Sequence, residues 1–266
     1  MHIISLQRRN VVIFYIIILS IVQGLTEFLP VSSSGHLLLL SKLFGINNDV
    51  LLLSVILHVA TLFSVVFVLK KEVKEIIKNP FGSLSKKLIL ATIPTIIIVI
   101  LCKGIFDNAF DGKYLPFCFM LTAVLIVLSE FISKKNMGNN KPLTNKDVLF
   151  MGIAQGVAVL PGISRSGATI CTGLICGKNR EDVAHFSFLM SIPIIIASLV
   201  LEVYEYVKVG QELTILWYEL IIGFIIAFIT GLFSVKFMLK LIEKHSLMIF
   251  AVYLVIISIV SFFICY

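Results

Sequence analysis

Gln155-Gly156-Val157-Ala158-Val159-Leu160-Pro161-Gly162-Ile163-Ser164-Arg165-Ser166-Gly167-Ala168-Thr169 is the stretch that decides how this chain folds. It sets one arginine and three hydroxyl residues inside a sequence that is mostly hydrocarbon. A charge at membrane depth costs about 2.5 kcal/mol or more, so an intramembrane arginine marks a functional site by default. Pro161-Gly162 stops regular helix, and Ser164-Arg165-Ser166-Gly167 then predicts a turn opening into a new helix. Helix-start amides beside hydroxyls and a guanidinium make an anion site, and phosphate suits it best. The plainer alternative places Arg165 at a membrane surface, paired with lipid headgroups.

A second copy of the plan argues against that alternative. Gln23-Gly24-Leu25-Thr26-Glu27-Phe28-Leu29-Pro30-Val31-Ser32-Ser33-Ser34-Gly35-His36 stands 132 residues earlier. Counted from each Gln-Gly pair, Ser32 aligns with Ser164, Ser34 with Ser166 and Gly35 with Gly167; only the proline slips by one place. Repeats with interrupted helices are how many membrane proteins build a polar site at the bilayer midplane.

Composition supports the membrane reading. The chain is 59% hydrophobic and only 14% charged, which predicts an all-α integral membrane protein forming one domain over residues 1–266. The net charge of +7 signals no nucleic-acid partner, because the lysines cluster in short loops between apolar runs. Five cysteines lie in or beside apolar segments without a CxxC pair, so neither disulfides nor a metal site are expected from them. Arg8-Arg9 before an apolar run resembles a signal peptide. No small-residue cleavage site follows, and the run is expected to be retained.

In chain order, Val11 to Val22 is too short to span and predicts a re-entrant segment whose tip is Pro30 to Gly35, returning through Leu37 to Leu43. Spans are expected at Leu51 to Leu69, Leu88 to Phe106 (kinked at Pro94) and Leu115 to Ser133. Residues 70–87 and 107–113 read as loops, and residues 134–147 as the connector between halves. Val148 to Val159 and Ile170 to Cys176 form a second re-entrant pair around the Pro161 turn. Three more spans follow, at about Val183 to Tyr204, Trp217 to Met238 and Leu247 to Ile264. The expected architecture is six transmembrane helices plus two re-entrant helix-turn-helix pairs. An odd span count inverts the second half, giving an inverted repeat of about 1–140 and 141–266.

Loops 70–87, 134–147, 178–182 and 236–245 hold fifteen of the 22 Lys and Arg residues, which places them in the cytoplasm. The first re-entrant pair then enters from outside and the second from inside. Arg8, Arg9 and Lys42 fall on the outer side and run against the rule.

The motifs together supply a carboxylate, an imidazole, hydroxyls, a guanidinium and helix-start amides. Gln23 and Glu27 share a helix face. Ser32 and Ser33 stand four and three residues before His36, so hydroxyl and imidazole are expected to converge. These are parts that bind a phosphate, attack it and move protons. The structural alternative is an ion pair of Glu27 with Arg165, with serines that merely satisfy re-entrant backbone. His58 and His185 read as packing histidines, and Glu130, Glu202, Glu205 and Glu219 as span-end residues facing headgroups or water.

At this point the residues match a family. Gln23 to Glu27 running on to Leu29-Pro30-Val31-Ser32-Ser33-Ser34-Gly35-His36, and Pro161-Gly162-Ile163-Ser164-Arg165-Ser166-Gly167-Ala168-Thr169, resemble the two signatures of the undecaprenyl-diphosphate phosphatases, the membrane enzymes of bacitracin resistance. The hydropathy plan agrees over essentially the whole length. The resemblance implies hydrolysis of a C55 polyprenyl diphosphate to the monophosphate and inorganic phosphate, recycling the carrier lipid for cell-wall and peptidoglycan synthesis in the bacterial plasma membrane.

Carried over by residue, the resemblance implicates Glu27, Ser33, His36 and Arg165 in catalysis. Ser33 is the expected nucleophile and His36 the general base, with the reverse assignment left open. Gln23, Ser32, Ser34, Ser164, Ser166, Gly167 and Thr169 would bind substrate. The resemblance also implies a divalent cation, Mg2+ or Ca2+; Glu27 either holds that cation or orients His36. Gln23 departs from the family, where many relatives carry glutamate, so Glu27 must suffice as the acidic group. The expected partners are the polyprenyl diphosphate and the bilayer; a homodimer is one open alternative for the assembly. The rival function is a lipid-phosphate transporter or flippase that hydrolyses nothing, since inverted repeats with broken helices are transporter architecture.

Overall fold

A computed structural model describes residues 2–45, 50–135, 141–209 and 216–266. Within those residues twelve helices follow one another: α1 His2–Thr26, α2 Ser33–Phe44, α3 Val50–Val68, α4 Lys70–Lys78, α5 Ser83–Leu101, α6 Lys103–Ala109, α7 Leu115–Lys135, α8 Asn145–Val157, α9 Arg165–Ile175, α10 Arg180–Val209, α11 Trp217–Lys244 and α12 Met248–Cys265. Among the described residues there is no strand, only one isolated bridge between Lys141 and Lys178.

Among the described residues, five helices are long and apolar enough to cross a membrane: Ser83–Leu101, Leu115–Lys134, Arg180–Tyr204, Trp217–Lys244 and Met248–Cys265. A sixth span is formed if α3 and α4 count as one, although they meet at a bend of 85°. The chain is a multi-pass membrane protein.

Its outer surface carries the hydrocarbon that a soluble protein hides. On α11, Ile221, Ile225, Ile229 and Phe233 are exposed at four-residue spacing, and on α12 Val252, Ile256, Ile259 and Phe263 repeat the stripe. Such a stripe turned outward has lipid as its solvent. Lipid supplies no hydrophobic drive between helices, so small residues and hydroxyls do the joining. Ser64 Oγ donates to the Phe228 carbonyl at 2.9 Å, Thr95 Oγ1 to Gly152 at 2.8 Å, Ser234 Oγ to Leu25 at 2.7 Å and Ser258 Oγ to Pro116 at 2.7 Å. The glycine of each Gln-Gly pair sits at a helix crossing. A Cβ on Gly24 would lie 2.7 Å from the Ala227 carbonyl oxygen of α11, and one on Gly156 would lie 2.9 Å from the Ile98 side chain of α5.

The loops gather at two ends. At one end Lys87 donates to Leu143 O, Lys178 pairs with Asp147 at 2.8 Å, and Arg180 pairs with Glu130 while donating to Ile242 O and His245 O. At the other, Tyr266 donates to Lys113 O and Lys42 lies against Gly112. The lysine-rich loops of the sequence reading thus share one end.

Several expectations change. The first apolar segment lies within a longer helix: α1 runs 25 residues, although its apolar part, Val12–Thr26, stays short of a span, and Gln23 is buried with a partner inside the helix and does not end it. Residues 70–87 are not simply a loop. Val73 and Ile76 of α4 pack against the core, and α5 starts at Ser83 instead of Leu88. Part of the 107–113 loop belongs to α6. Glu130 and Glu219 face neither headgroups nor water. Glu130 is buried, pairs with Arg180 and accepts from Leu247 N, while Glu219 accepts from Leu216 N and caps α11. The Glu202 Oε2 atom is buried without a hydrogen-bond partner. The middle of the 134–147 connector, the 210–215 segment and the Glu205 side chain lie outside the described residues.

Candidate active site

Two broken helical hairpins, α1–α2 and α8–α9, meet at their tips. Each second helix is capped in the same way. Ser32 Oγ accepts from Gly35 N at 3.3 Å to start α2, and Ser164 Oγ accepts from Gly167 N at 3.0 Å to start α9. This is N-capping by serine, and it supplies an orphan first-turn amide with a partner. The tips interlock through backbone: Gly162 N donates to Ser32 Oγ at 3.1 Å, and Ser166 Oγ donates to Leu29 O at 2.9 Å. Gly162 has φ +94°, and a Cβ on Gly35 would stand 2.9 Å from Gly162 Cα. Only glycine permits that approach and that backbone.

The interlock brings Arg165 against Glu27, 138 residues away in sequence. Arg165 Nη2 pairs with Glu27 Oε1. The other carboxylate oxygen, Oε2, accepts from Ser33 Oγ at 2.6 Å and from Gln23 Nε2 at 3.0 Å. Arg165 Nη1 is buried and has no hydrogen-bond partner. A buried guanidinium nitrogen without a partner is costly unless an anion meets it.

Glu27, Ser33 and Arg165 line a cavity of about 40 Å³ with Thr26, Ser32, Ser34, Ala158, Ile163 and Ser164. It has room for a small polar headgroup and none for a long hydrocarbon chain. Both α2 and α9 begin at its wall, so the positive ends of two helix dipoles converge there.

The remaining predicted site residues divide clearly. Ser32, Ser34 and Ser164 line the cavity. Gln23 stands behind Glu27 and is fully buried. Ser166 is turned to Leu29 O, and Gly167 packs against Pro30 and Ser164. Thr169 Oγ1 bonds Arg165 O at 3.0 Å and Ser187 Oγ at 2.6 Å, so it braces α9 against α10.

His36 is not brought to Ser33. Its Nδ1 lies 2.7 Å from Ser32 O and its Nε2 2.7 Å from Tyr253 Oη. The expected convergence of imidazole and hydroxyl gives way to one of carboxylate and hydroxyl. His58 bonds Ser54 O of its own helix at 2.9 Å, and His185 lies 3.4 Å from Glu72. Sequence reasoning missed Thr26 and Tyr253. Thr26 lies inside the first motif, whereas nothing marked Tyr253 among the aromatics of the last helix.

The implied cation finds a poor donor set. Among the described residues no group of three or more His, Cys, Asp or Glu residues could hold a metal ion. Glu27 is the single carboxylate lining the cavity, and both its oxygens are engaged by Arg165, Ser33 and Gln23. These residues do not fit a resident metal. What they make is a hydroxyl hydrogen-bonded to a carboxylate, beside a guanidinium with a free donor: a nucleophile, a base and an anion clamp.

Known proteins resemble the chain over nearly its whole length. The family described as "Bacitracin resistance protein BacA" matches residues 16–260. An "Undecaprenyl-diphosphatase" of Carboxydothermus hydrogenoformans is 42% identical over 248 residues, covering 92% of this chain and 95% of the relative. One from Halothermothrix orenii is 40% identical over 250 residues, covering 93% and 96%. The "Undecaprenyl-diphosphatase 4" of Bacillus cereus is 38% identical over 239 residues, covering 89% and 91%.

Proposed function

The chain belongs to the bacitracin resistance protein BacA family, and from that premise we propose how its residues act as a membrane phosphatase on undecaprenyl diphosphate. The observation that carries the reading is the unpartnered Arg165 Nη1 beside the Ser33–Glu27 pair. The terminal phosphate enters the cavity, where Arg165 and the first-turn amides of α2 and α9 neutralise it. The polyprenyl tail stays between helices in the bilayer, since the cavity is too small for it.

Ser33 Oγ then attacks the terminal phosphorus and passes its proton to Glu27 Oε2. The bridging P–O bond breaks, and the lipid monophosphate leaves with the proton that Glu27 took, which restores the carboxylate. Water attacks the phosphoserine, giving one proton to Glu27, and phosphate departs as Ser33 regains a proton. Gln23 holds the carboxylate in line through its Nε2.

The expected inverted repeat is supported by how the helices pair. The helix α1 packs on α11 while α8 packs on α5, and α3 packs on α10 while α7 packs on α12. The first two pairs exchange partners between the halves, and the last two join corresponding elements to each other. With the lysine-rich end in the cytoplasm, α1 and α2 enter from outside, and diphosphate reaches Ser33 from that side. This suits a carrier lipid whose diphosphate is released outside the cell.

Phosphate release from undecaprenyl diphosphate by the purified protein tests the activity. Binding without release would instead support the transporter reading. Orientation is tested by a membrane-impermeant thiol reagent on intact cells in a Cys-free background. Cysteine at Asp111 should be labelled and cysteine at Lys78 should not; the opposite pattern would move the entrance to the cytoplasm.

A further inference from the structure

The geometry around His36 assigns a role to a residue that neither motif contains. The Ser32 carbonyl can only accept, so the proton of the imidazole sits on Nδ1, 2.7 Å away. In the neutral ring Nε2 is then the bare nitrogen, and Tyr253 donates its O–H to it at 2.7 Å. The two rings stack, with centroids 5.6 Å apart and planes within 6°. Phe119 meets the imidazole edge-on at 5.3 Å. Neither His36 nor Tyr253 lines the cavity at Arg165.

What the imidazole holds is unusual backbone. Ser32 is the one non-glycine residue with positive φ, 70°, among those described. Such conformations persist only where the surroundings over-determine them. The surroundings of Ser32 are a short set. Its Oγ accepts from Gly35 N and Gly162 N, and its carbonyl accepts from His36 Nδ1 and, as the first helical bond, from His36 N at 3.2 Å. Ser33 is the next residue, so the Ser32 backbone sets where the Ser33 hydroxyl points.

We infer that Tyr253 is a positioning residue of the reaction. From α12, 217 residues away in sequence, its hydroxyl and ring lock the His36 imidazole onto the Ser32 carbonyl. The lock holds the strained turn that aims Ser33 at Glu27. This rests on the reading of Ser33 as nucleophile. In this arrangement His36 also acts through Ser32 and touches no reacting atom.

Tyr253→Phe keeps the stacked ring and removes the donor to Nε2. Its kcat on undecaprenyl diphosphate should fall about tenfold, the scale of one lost hydrogen bond, with KM little changed. Histidine-selective 15N NMR of the full chain in detergent gives a readout independent of turnover. The His36 signals, assigned by their loss in His36→Asn, should show the Nδ1–H form in the parent and lose that single tautomer in Tyr253→Phe.

A third arm separates positioning from chemistry at His36. Asparagine carries an amide N–H near the place of Nδ1, so His36→Asn should keep several-fold more activity than His36→Ala. A base or nucleophile would be lost equally in both. Unchanged kcat and an unchanged tautomer in Tyr253→Phe, or equal losses in the two His36 variants, would overturn the inference. Ser33→Ala with parental turnover would instead overturn the nucleophile assignment, and the inference with it, whatever the NMR shows.

Discussion

The two hairpins are built on one frame and carry different chemistry. Both carry, near the end of the first helix, a Gln-Gly pair whose glycine seats a neighbouring helix, and both cap the second helix with a serine. Each also places two hydroxyls within about hydrogen-bond reach: Ser32 with Ser34 at 3.4 Å, Ser164 with Ser166 at 3.2 Å. The divergence falls at the first residue of each capped helix. In α2 that residue is Ser33, and in α9 it is Arg165. The same backbone address, used twice, presents a nucleophile from one side of the cavity and its anion clamp from the other. The acid and the imidazole belong to the first hairpin alone, where the second has Val159 and Ala168. The cap backbone differs too. Ser164 has φ −76°, ordinary extended backbone, and Ser32 has φ 70°. The strained turn is thus the one that carries Ser33, and His36 and Tyr253 hold it, whereas Thr122 of α7 holds the other turn through Ser164 N and Gly162 O.

If the second hairpin's whole contribution is the clamp, Arg165 should be its most sensitive position. Arg165→Ala should abolish phosphate release, and Arg165→Lys should recover little, because lysine keeps the charge and loses the planar fork. The loss should be about 3 kcal/mol or more, roughly a hundredfold, by comparison with removal of an oxyanion donor. A lysine variant turning over at the parental rate would break the assignment.

The first hairpin should respond as a unit. Ser33→Ala and Glu27→Gln should each lower kcat by about 10² or more, and the double variant should cost little beyond the worse single one. Multiplicative losses in steady-state kinetics would mean that the carboxylate and the hydroxyl act separately. A trapped phosphoenzyme mapped to Ser33 would sharpen the comparison further.

The contact between the tips should show a smaller effect, and on stability. Gly162→Ala puts a side chain at φ +94°, with its Cβ 2.7 Å from Cys118 Cβ. Strain and overpacking together should cost about 1–3 kcal/mol, read as a lower Tm in detergent. Unchanged Tm would mean that the hairpins do not need this close approach.

Much of this was legible in the sequence because it was local. Hydropathy located the long spans, the Ser-x-Ser-Gly spacing fixed two helix starts, and the repeat was visible residue by residue. The clamp could be named because an arginine in hydrocarbon has no cheap structural reason to be there. Local signals also misled in places. Lysines made residues 70–78 look like loop, although Val73 and Ile76 give α4 an apolar face that packs on the core. Three-residue spacing suggested that His36 meets Ser33, whereas the imidazole turns back to Ser32 O, four residues behind it.

What only the tertiary structure decided is which distant groups share the cavity and which stand behind it. Chain order offered an Arg165–Glu27 pair across 138 residues only as one alternative, and it says nothing of a His36–Tyr253 bond across 217. Those distances are set by helix packing through glycine and hydroxyl contacts, each of which depends on both partners at once. The sequence by itself therefore determined the parts and their helix-start addresses. Packing determined that Glu27, and not His36, receives the hydroxyl of Ser33, because a side chain can bond only what the neighbouring helix brings within about 3 Å of it.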